Sequence, residues 1–386
     1  MGQAGFMRPA AALASQGLRY AVSRRDDTWV TLTSRDLVRE EADDPNYPGI
    51  PLDSPRRREL QQVLRIRDIR AMRTSAIEMR FHSREEVLAH APNYPFGLTF
   101  WAGEYRRALP LWEDEAAESE RQGRIAVAVS NWAQVARCYN ALGDFAAARA
   151  AYQKGRTAGS RLSVVSLQLI QLLTARDEMW LALDENWERA IASFESSTQT
   201  QTPELNWFLA AFRAARVRIY AHLGKAEQAV DQLKHLVVPL ERAPGWTSNY
   251  TRMACDAASA LWLLGRTDHI EVIERNLRDK VVAPDFRYTM FDARLSLARL
   301  CALQGRYDEA AEWFAKSRAV LDEQGARPLR AIADFDEAWM YLRRGAPGDL
   351  ERARPQLDAA MTQFKSIGMT GWLRRAENLV SAKASN

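Results

Sequence analysis

"NWAQVARCYNALGDFAAARAAYQKG", residues 131–155, is the stretch on which the fold turns. Trp132, Val135, Ala136 and Tyr139 fall at i, i+3, i+4 and i+7, a spacing that sets four apolar side chains on one helical face. Gly143 follows as a helix terminator, because without a Cβ it takes the left-handed conformation at low cost. Asp144 can then cap a second helix, in which Phe145, Ala148 and Tyr152 again share a face. The small Ala136 and Ala148 let two backbones approach while the aromatic residues fill the flanks. The stretch therefore predicts a helical hairpin.

The same punctuation recurs along the chain. Turn-forming glycines stand at Gly103, Gly143, Gly224, Gly265, Gly305 and Gly345, with gaps of 40, 81, 41, 40 and 40 residues, the 81 being two periods with one glycine missing. Asn186 in "LDENWERAIASF" can supply the missing left-handed turn, and Trp187, Ala190 and Phe194 repeat the helix pattern behind it. Five residues after four of the glycines comes an alanine (Ala108, Ala148, Ala229, Ala310), and four further on a large residue (Trp112, Tyr152, Leu233, Phe314). One hairpin cannot bury its apolar face without neighbours, so stacked helical repeats follow.

Two segments, "SNWAQVARCYNALGDFAAARAAYQKG" (130–155) and "LSLARLCALQGRYDEAAEWFAKSRAVL" (295–321), resemble tetratricopeptide repeats in the order of their Trp, Leu/Val-Ala, Tyr, Gly, Ala and aromatic positions. The period near 40 is longer than the 34 residues usual for that repeat. Longer helices of this kind resemble the C-terminal helical arrays of bacterial LuxR-type ATP-dependent activators and adenylate cyclase-like ATPases. The segment "GAPGDLERARPQLDAAMTQFKSIGMTGWLRRAENL" (345–379) resembles the end of such an array. The resemblance covers residues 96–380. It implies an all-α fold, an α-solenoid in which tetratricopeptide-like hairpins wind into a right-handed superhelix. The expected organisation is an N-terminal helical portion over 1–95, with a Pro-rich loop at 45–55, and a repeat array over 96–386.

Composition is consistent with this. At 386 residues and 47% hydrophobic the chain can bury a large core, which a solenoid spreads along its length. No run approaches the ~18 uninterrupted apolar residues of a membrane span; "LSVVSLQLIQLLTA" is broken by Ser166, Gln168 and Gln171. The N-terminus lacks the charged, apolar and cleavage regions of a secretory signal, so a cytoplasmic location is expected. Cys138, Cys255 and Cys301 are odd in number and widely spaced, which argues against a disulfide framework or a Cys-x-x-Cys site and for inert buried thiols. The five histidines show no His-Glu-x-x-His spacing, and no phosphate-binding Gly-rich loop or Gly-x-Ser-x-Gly elbow is present, so no metal and no cofactor is expected.

The N-terminal portion is less regular. Residues 11–25 and 28–41 read as helical, after which Pro45, Pro48, Pro51 and Pro55 forbid a continuous helix. The segment 56–73, "RRRELQQVLRIRDIRAMR", sets seven arginines against Glu59 and Asp68, although the whole chain, with 53 basic and 49 acidic residues, carries only +4. Its apolar residues still describe a packed face. Its arginines then form a solvated surface or a dock for an acidic partner; nucleic-acid binding through 56–73 stays an alternative without a recognition-helix motif behind it.

The tetratricopeptide resemblance implies that the first helix of each hairpin lines a concave groove. Matching the repeats places Arg137, Asn140, Arg218, Arg252, Asp292, Arg299 and Trp339 there. Arginines at successive repeats would grip carboxylates or phosphates through bidentate hydrogen bonds. If they stand exposed, Arg218→Ala leaves folding nearly intact. The expected function is a non-catalytic scaffold that binds a protein, a peptide or a small acidic effector and serves a bacterial signalling or transcription-regulating system. Any catalytic domain of such a regulator lies outside this chain. The alternative is a repeat-containing enzyme or phosphatase-like regulator acting on a bound protein, for which "DLVREEADD" (36–44) offers the acidic residues.

Overall fold

The computed structural model describes residues 19–23, 29–33, 83–90, 95–100, 102–159, 206–241, 248–287 and 290–384. The chain divides into two compact units, one of Met1–His82 and Thr198–Phe212, the other of Ser83–Ser197 and Arg213–Asn386. The repeat-bearing unit thus begins at Ser83, upstream of the 95/96 boundary expected from the sequence. The Pro-rich loop, the acidic 36–44 stretch, the basic 56–73 segment and the Asn186 turn lie outside the described residues.

In the first unit, β1 (Arg19–Ser23) pairs antiparallel with β2 (Trp29–Thr33), Tyr20 opposite Leu32 and Val22 opposite Val30. This corrects the helical reading at Arg19–Ser23 and Trp29–Thr33, the described parts of the spans 11–25 and 28–41. The segments "RYAVS" and "WVTLT" are short and rich in aromatic and β-branched residues, which fit a pleated surface better than a helix.

From residue 83 onward every described element is a helix. Two short ones, α1 (Arg84–His90) and α2 (Pro95–Phe100), precede α3 (Tyr105–Arg121). The hairpin read from the sequence is α4 (Ile125–Leu142) and α5 (Phe145–Gly159). Three more follow: α6 (Asn206–His222) with α7 (Ala226–Glu241), α8 (Ser248–Leu264) with α9 (Ile270–Leu277), and α10 (Ala293–Leu303) with α11 (Tyr307–Gln324). The last elements are α12 (Arg327–Arg344), α13 (Asp349–Ile367) and α14 (Thr370–Ala384).

The turn within the hairpins is one device used repeatedly. Gly143 sits at φ +80°, and the residue after it closes the turn on a carbonyl five residues back, Asp144 N–H to Tyr139 O at 2.9 Å. Lys225 does the same to Tyr220 (2.8 Å), Arg266 to Leu261 (3.1 Å) and Arg306 to Cys301 (2.9 Å). Asp144 caps α5 by accepting from Ala147 N–H at 3.0 Å. The four register alanines, Ala108, Ala148, Ala229 and Ala310, are all buried, and Trp112, Leu233 and Phe314 pack beside them.

The first helices of the hairpins are not amphipathic in the ordinary sense. Every residue from Ala293 to Ala302 in α10, from Thr251 to Trp262 in α8 and from Ala331 to Ala338 in α12 is buried. A second helix covers one side of each, while α10 also packs on α8 and α12, and α12 packs on α4. Charged residues on these helices therefore face protein rather than solvent, and the open groove expected along them is filled among the described residues.

Candidate functional site

The residues expected in the groove are buried rather than solvent-facing. Arg137, Asn140, Arg218, Arg252, Asp292 and Arg299 are each less than a tenth exposed, and Trp339 is half-buried. Four of them, Arg218, Arg252, Asp292 and Arg299, come together around Phe291. The guanidiniums of Arg218 and Arg252 lie 5.7 and 5.4 Å from its ring centroid, within cation–π range.

Buried arginine requires a partner, because an uncompensated charge in low dielectric is costly. On α6, Arg218 Nη1 lies 3.2 Å from Asp256 Oδ1 of α8. On α10, Arg299 Nε donates to Asp336 Oδ2 of α12 at 2.8 Å, Nη2 makes a second bond to the same oxygen, and Nη1 donates to Ser259 Oγ of α8 at 2.9 Å. The other oxygen of Asp336 accepts from Trp262 Nε1 at 2.8 Å. The line continues onto α14 with Arg375. Burial, and then Arg218, lower the pKa of Arg375 to about 10, with Asp336 opposing. Its Nη2 lies 2.7 Å from Nδ1 of His222. A guanidinium only donates, so Nδ1 is the acceptor and the imidazole is neutral there. Burial first, then Arg375, Arg218 and Arg299, hold His222 well below its ordinary pKa of 6.5.

The buried pairs Arg218–Asp256 and Arg299–Asp336, with half-buried Arg375 beside Asp336, therefore form a ladder whose charge alternates in sign from repeat to repeat. The rungs are separated by 38, 43, 37 and 39 residues. Asp256, Asp336 and Arg375 were not among the groove residues read from the sequence; the signal that finds them is a charge alternating in sign at the repeat period.

A cleft of about 20 Å³, room for one water molecule, opens on the ladder between Arg218 and Arg299. Ser259 and Ser296 supply its hydroxyls, and Phe291 and Leu329 part of its apolar wall. Asp292 also borders it, but as the N-cap of α10: its carboxylate accepts from Arg294 N–H at 3.2 Å, Leu295 N–H at 3.1 Å and the Ser317 hydroxyl. The remaining expected residues lie elsewhere. Arg137 donates to Gln134 Oε1 at 3.3 Å on α4, where Asn140 is buried as well. Trp339 meets Trp262 edge-on at 5.1 Å, and Arg343 stacks over it at 4.4 Å.

Two other groupings of reactive side chains are structural. Glu274, Cys301 and Glu309 converge closely enough to hold a cation, yet Arg306 and Arg278 each bond Glu274 at 2.7 Å and both also reach Glu309. Although burial raises it, hydrogen bonds from Arg278 and Trp313 bring the Glu309 carboxyl to about 2. The quartet is already neutralised by guanidinium. The three cysteines are buried, and burial pushes their thiols up to about 12, which removes the thiolate that nucleophilic or redox chemistry needs.

Residues 129–155 match the family described as a tetratricopeptide repeat, which is the hairpin α4–α5 together with its turn. No curated protein matches the chain. The chain thus carries a helical repeat of tetratricopeptide type, a class of repeat that generally mediates protein–protein interaction and is typically non-catalytic. Among the described residues no helix is long and apolar enough to cross a membrane.

Proposed function

We propose that the protein is a non-catalytic interaction and effector-sensing scaffold, serving as the regulatory module of a cytoplasmic bacterial signalling or transcription-regulating system. The observation that carries this reading is the charge ladder beside its cleft. Arg218 and Arg299 are each held by an aspartate of this same chain, in a setting where water does not screen the exchange of one carboxylate for another. An acidic group of a protein, peptide or small effector that reaches the cleft competes with Asp256 or Asp336 for a guanidinium. Because the two aspartates sit on different helices, that exchange shifts one repeat relative to the next, which is how a repeat array relays occupancy along its length.

The test is capture from the native cell lysate by wild type, by Leu329→Trp and by Leu350→Trp. Leu329 lines the cleft, so tryptophan there fills it, whereas Leu350 is an exposed residue of α13. A partner held by wild type and Leu350→Trp but lost by Leu329→Trp supports recognition at the cleft. Equal capture by all three removes the cleft from the interface.

A further inference from the structure

The turn before α3 and the turn after α11, more than two hundred residues apart in sequence, are interlocked. The side chain of Gln324 crosses Gly103, so closely that a Cβ on Gly103 would lie 1.9 Å from its Nε2, and the same amide donates to Tyr105 Oη at 3.2 Å. In return the Arg106 guanidinium crosses Gly325, where a Cβ would meet Nη2 at 2.8 Å. Next to this, Arg327 Nε donates to Leu142 O at 2.9 Å, and Pro328 packs against Gly143. The hairpin turns of the first repeats are thereby fastened to the start of α12.

Around the interlock runs an ion-pair cluster with an unequal distribution of solvent. Arg84 is bonded to Glu104 at 2.7 Å and to Glu323 at 3.4 Å, and its backbone N–H donates to Pro284 O at 3.1 Å. Arg287 is bonded to Glu323 at 2.8 Å and to Asp285 at 3.2 Å. The side chains of Arg84 and Arg287 are 14% and 8% exposed, whereas those of Glu323 and Asp285 are 55% and 43% exposed. The guanidiniums are thus sequestered while Glu323 and Asp285 stand in water, where salt or a competing group reaches them.

We propose that this cluster is a latch: the contact of Arg84 and Arg287 with Glu323, set on the Gly103–Gln324 interlock, holds the early hairpins against α12 and keeps the inner face of the array closed to its partner. The latch rests on the reading above, that the inner face receives that partner. Breaking it frees α1 and the turn before α3 from the end of α11 and loosens the adjoining α4–α12 contact made by Arg327 with Leu142 and Pro328 with Gly143, while α13 and α14, which contribute nothing to the cluster, stay docked.

Amide hydrogen exchange on the full chain tests the latch without a ligand, using Glu323→Lys, which sets a third cation against Arg84 and Arg287 at a solvent-exposed position. Exchange in α4 and in the first two turns of α12 is expected to rise about tenfold, the signature of a local opening, with α13 and α14 unchanged. Raising ionic strength from 0.1 to 1 M, which shortens the screening length from ~10 to ~3 Å, should reproduce the rise in wild type and add little in the variant. Unchanged exchange in α4 and α12, or an equal rise in α13 and α14, overturns the latch. Lysate capture separates the two readings: greater capture by Glu323→Lys supports regulation of the interface, whereas faster exchange with unchanged capture overturns the inner face as the partner's site and leaves only a mobile contact.

Discussion

Arg218 shows how far a single residue can be read from sequence. As one arginine among many on a predicted helix it belongs by default to the surface, since the charge outnumbers any core that could need it. In the fold it is buried against Asp256, whose side chain has no exposure. Removing the guanidinium leaves a buried carboxylate without its counter-charge. Arg218→Ala is therefore expected to destabilise the protein by about 3–5 kcal/mol in urea unfolding, the usual cost of breaking a buried pair from one side. A change below about 1 kcal/mol would restore the near-neutral effect expected for an exposed arginine. That Arg218, Arg252 and Arg299 lie on the first helices of their hairpins, and Asp292 at the start of one, was legible from the repeat register. Their burial was not, because it depends on α10 packing on α8 and α12 and on helices one repeat away supplying aspartates, neither of which a single hairpin's pattern contains.

At the scale of the element, the glycine turns were legible because their chemistry is local: a left-handed residue is required wherever a helix must end and reverse. The β1–β2 hairpin escaped for the opposite reason. Its strands have five residues each, too few for alternation to compete with a helical reading extended across the neighbouring residues. The turns also separate two demands that sequence cannot tell apart. Gly305 has φ +75° and open space where its Cβ would be, whereas Gly103, at φ +69°, has Gln324 lying on it. Gly305→Ala is expected to cost about 1–2 kcal/mol, the left-handed strain alone. Gly103→Ala carries a similar strain and displaces the Gln324 amide from Tyr105, so its cost should exceed that of Gly305→Ala by about 1 kcal/mol. Equal thermal unfolding shifts for the two variants would show that the interlock adds nothing to stability.

Across the repeat-bearing unit, what distinguishes this array is that its charges alternate from repeat to repeat while its glycines and alanines do not. The apolar register repeats every hairpin; the ladder repeats every second one. Arg218 is bonded to Asp256 and Arg299 to Asp336, while Arg299 also acts on Arg218 and both Arg218 and Asp336 act on Arg375, so the environment of a charge extends beyond its own pair. This separates two accounts of Arg299 and Asp336. If they form an isolated ion pair, exchanging them in Arg299→Asp with Asp336→Arg recovers most of the stability that either single change removes, because the attraction survives with its direction reversed. In a ladder the exchange fails. The arginine introduced at position 336 would face Arg375, replacing attraction by repulsion at that end. Trp262 Nε1 would also lose its acceptor and Ser259 its donor. The urea midpoint of the double variant is expected to lie at or below that of the weaker single variant. Recovery to within about 1 kcal/mol of wild type would reduce the ladder to a row of independent pairs.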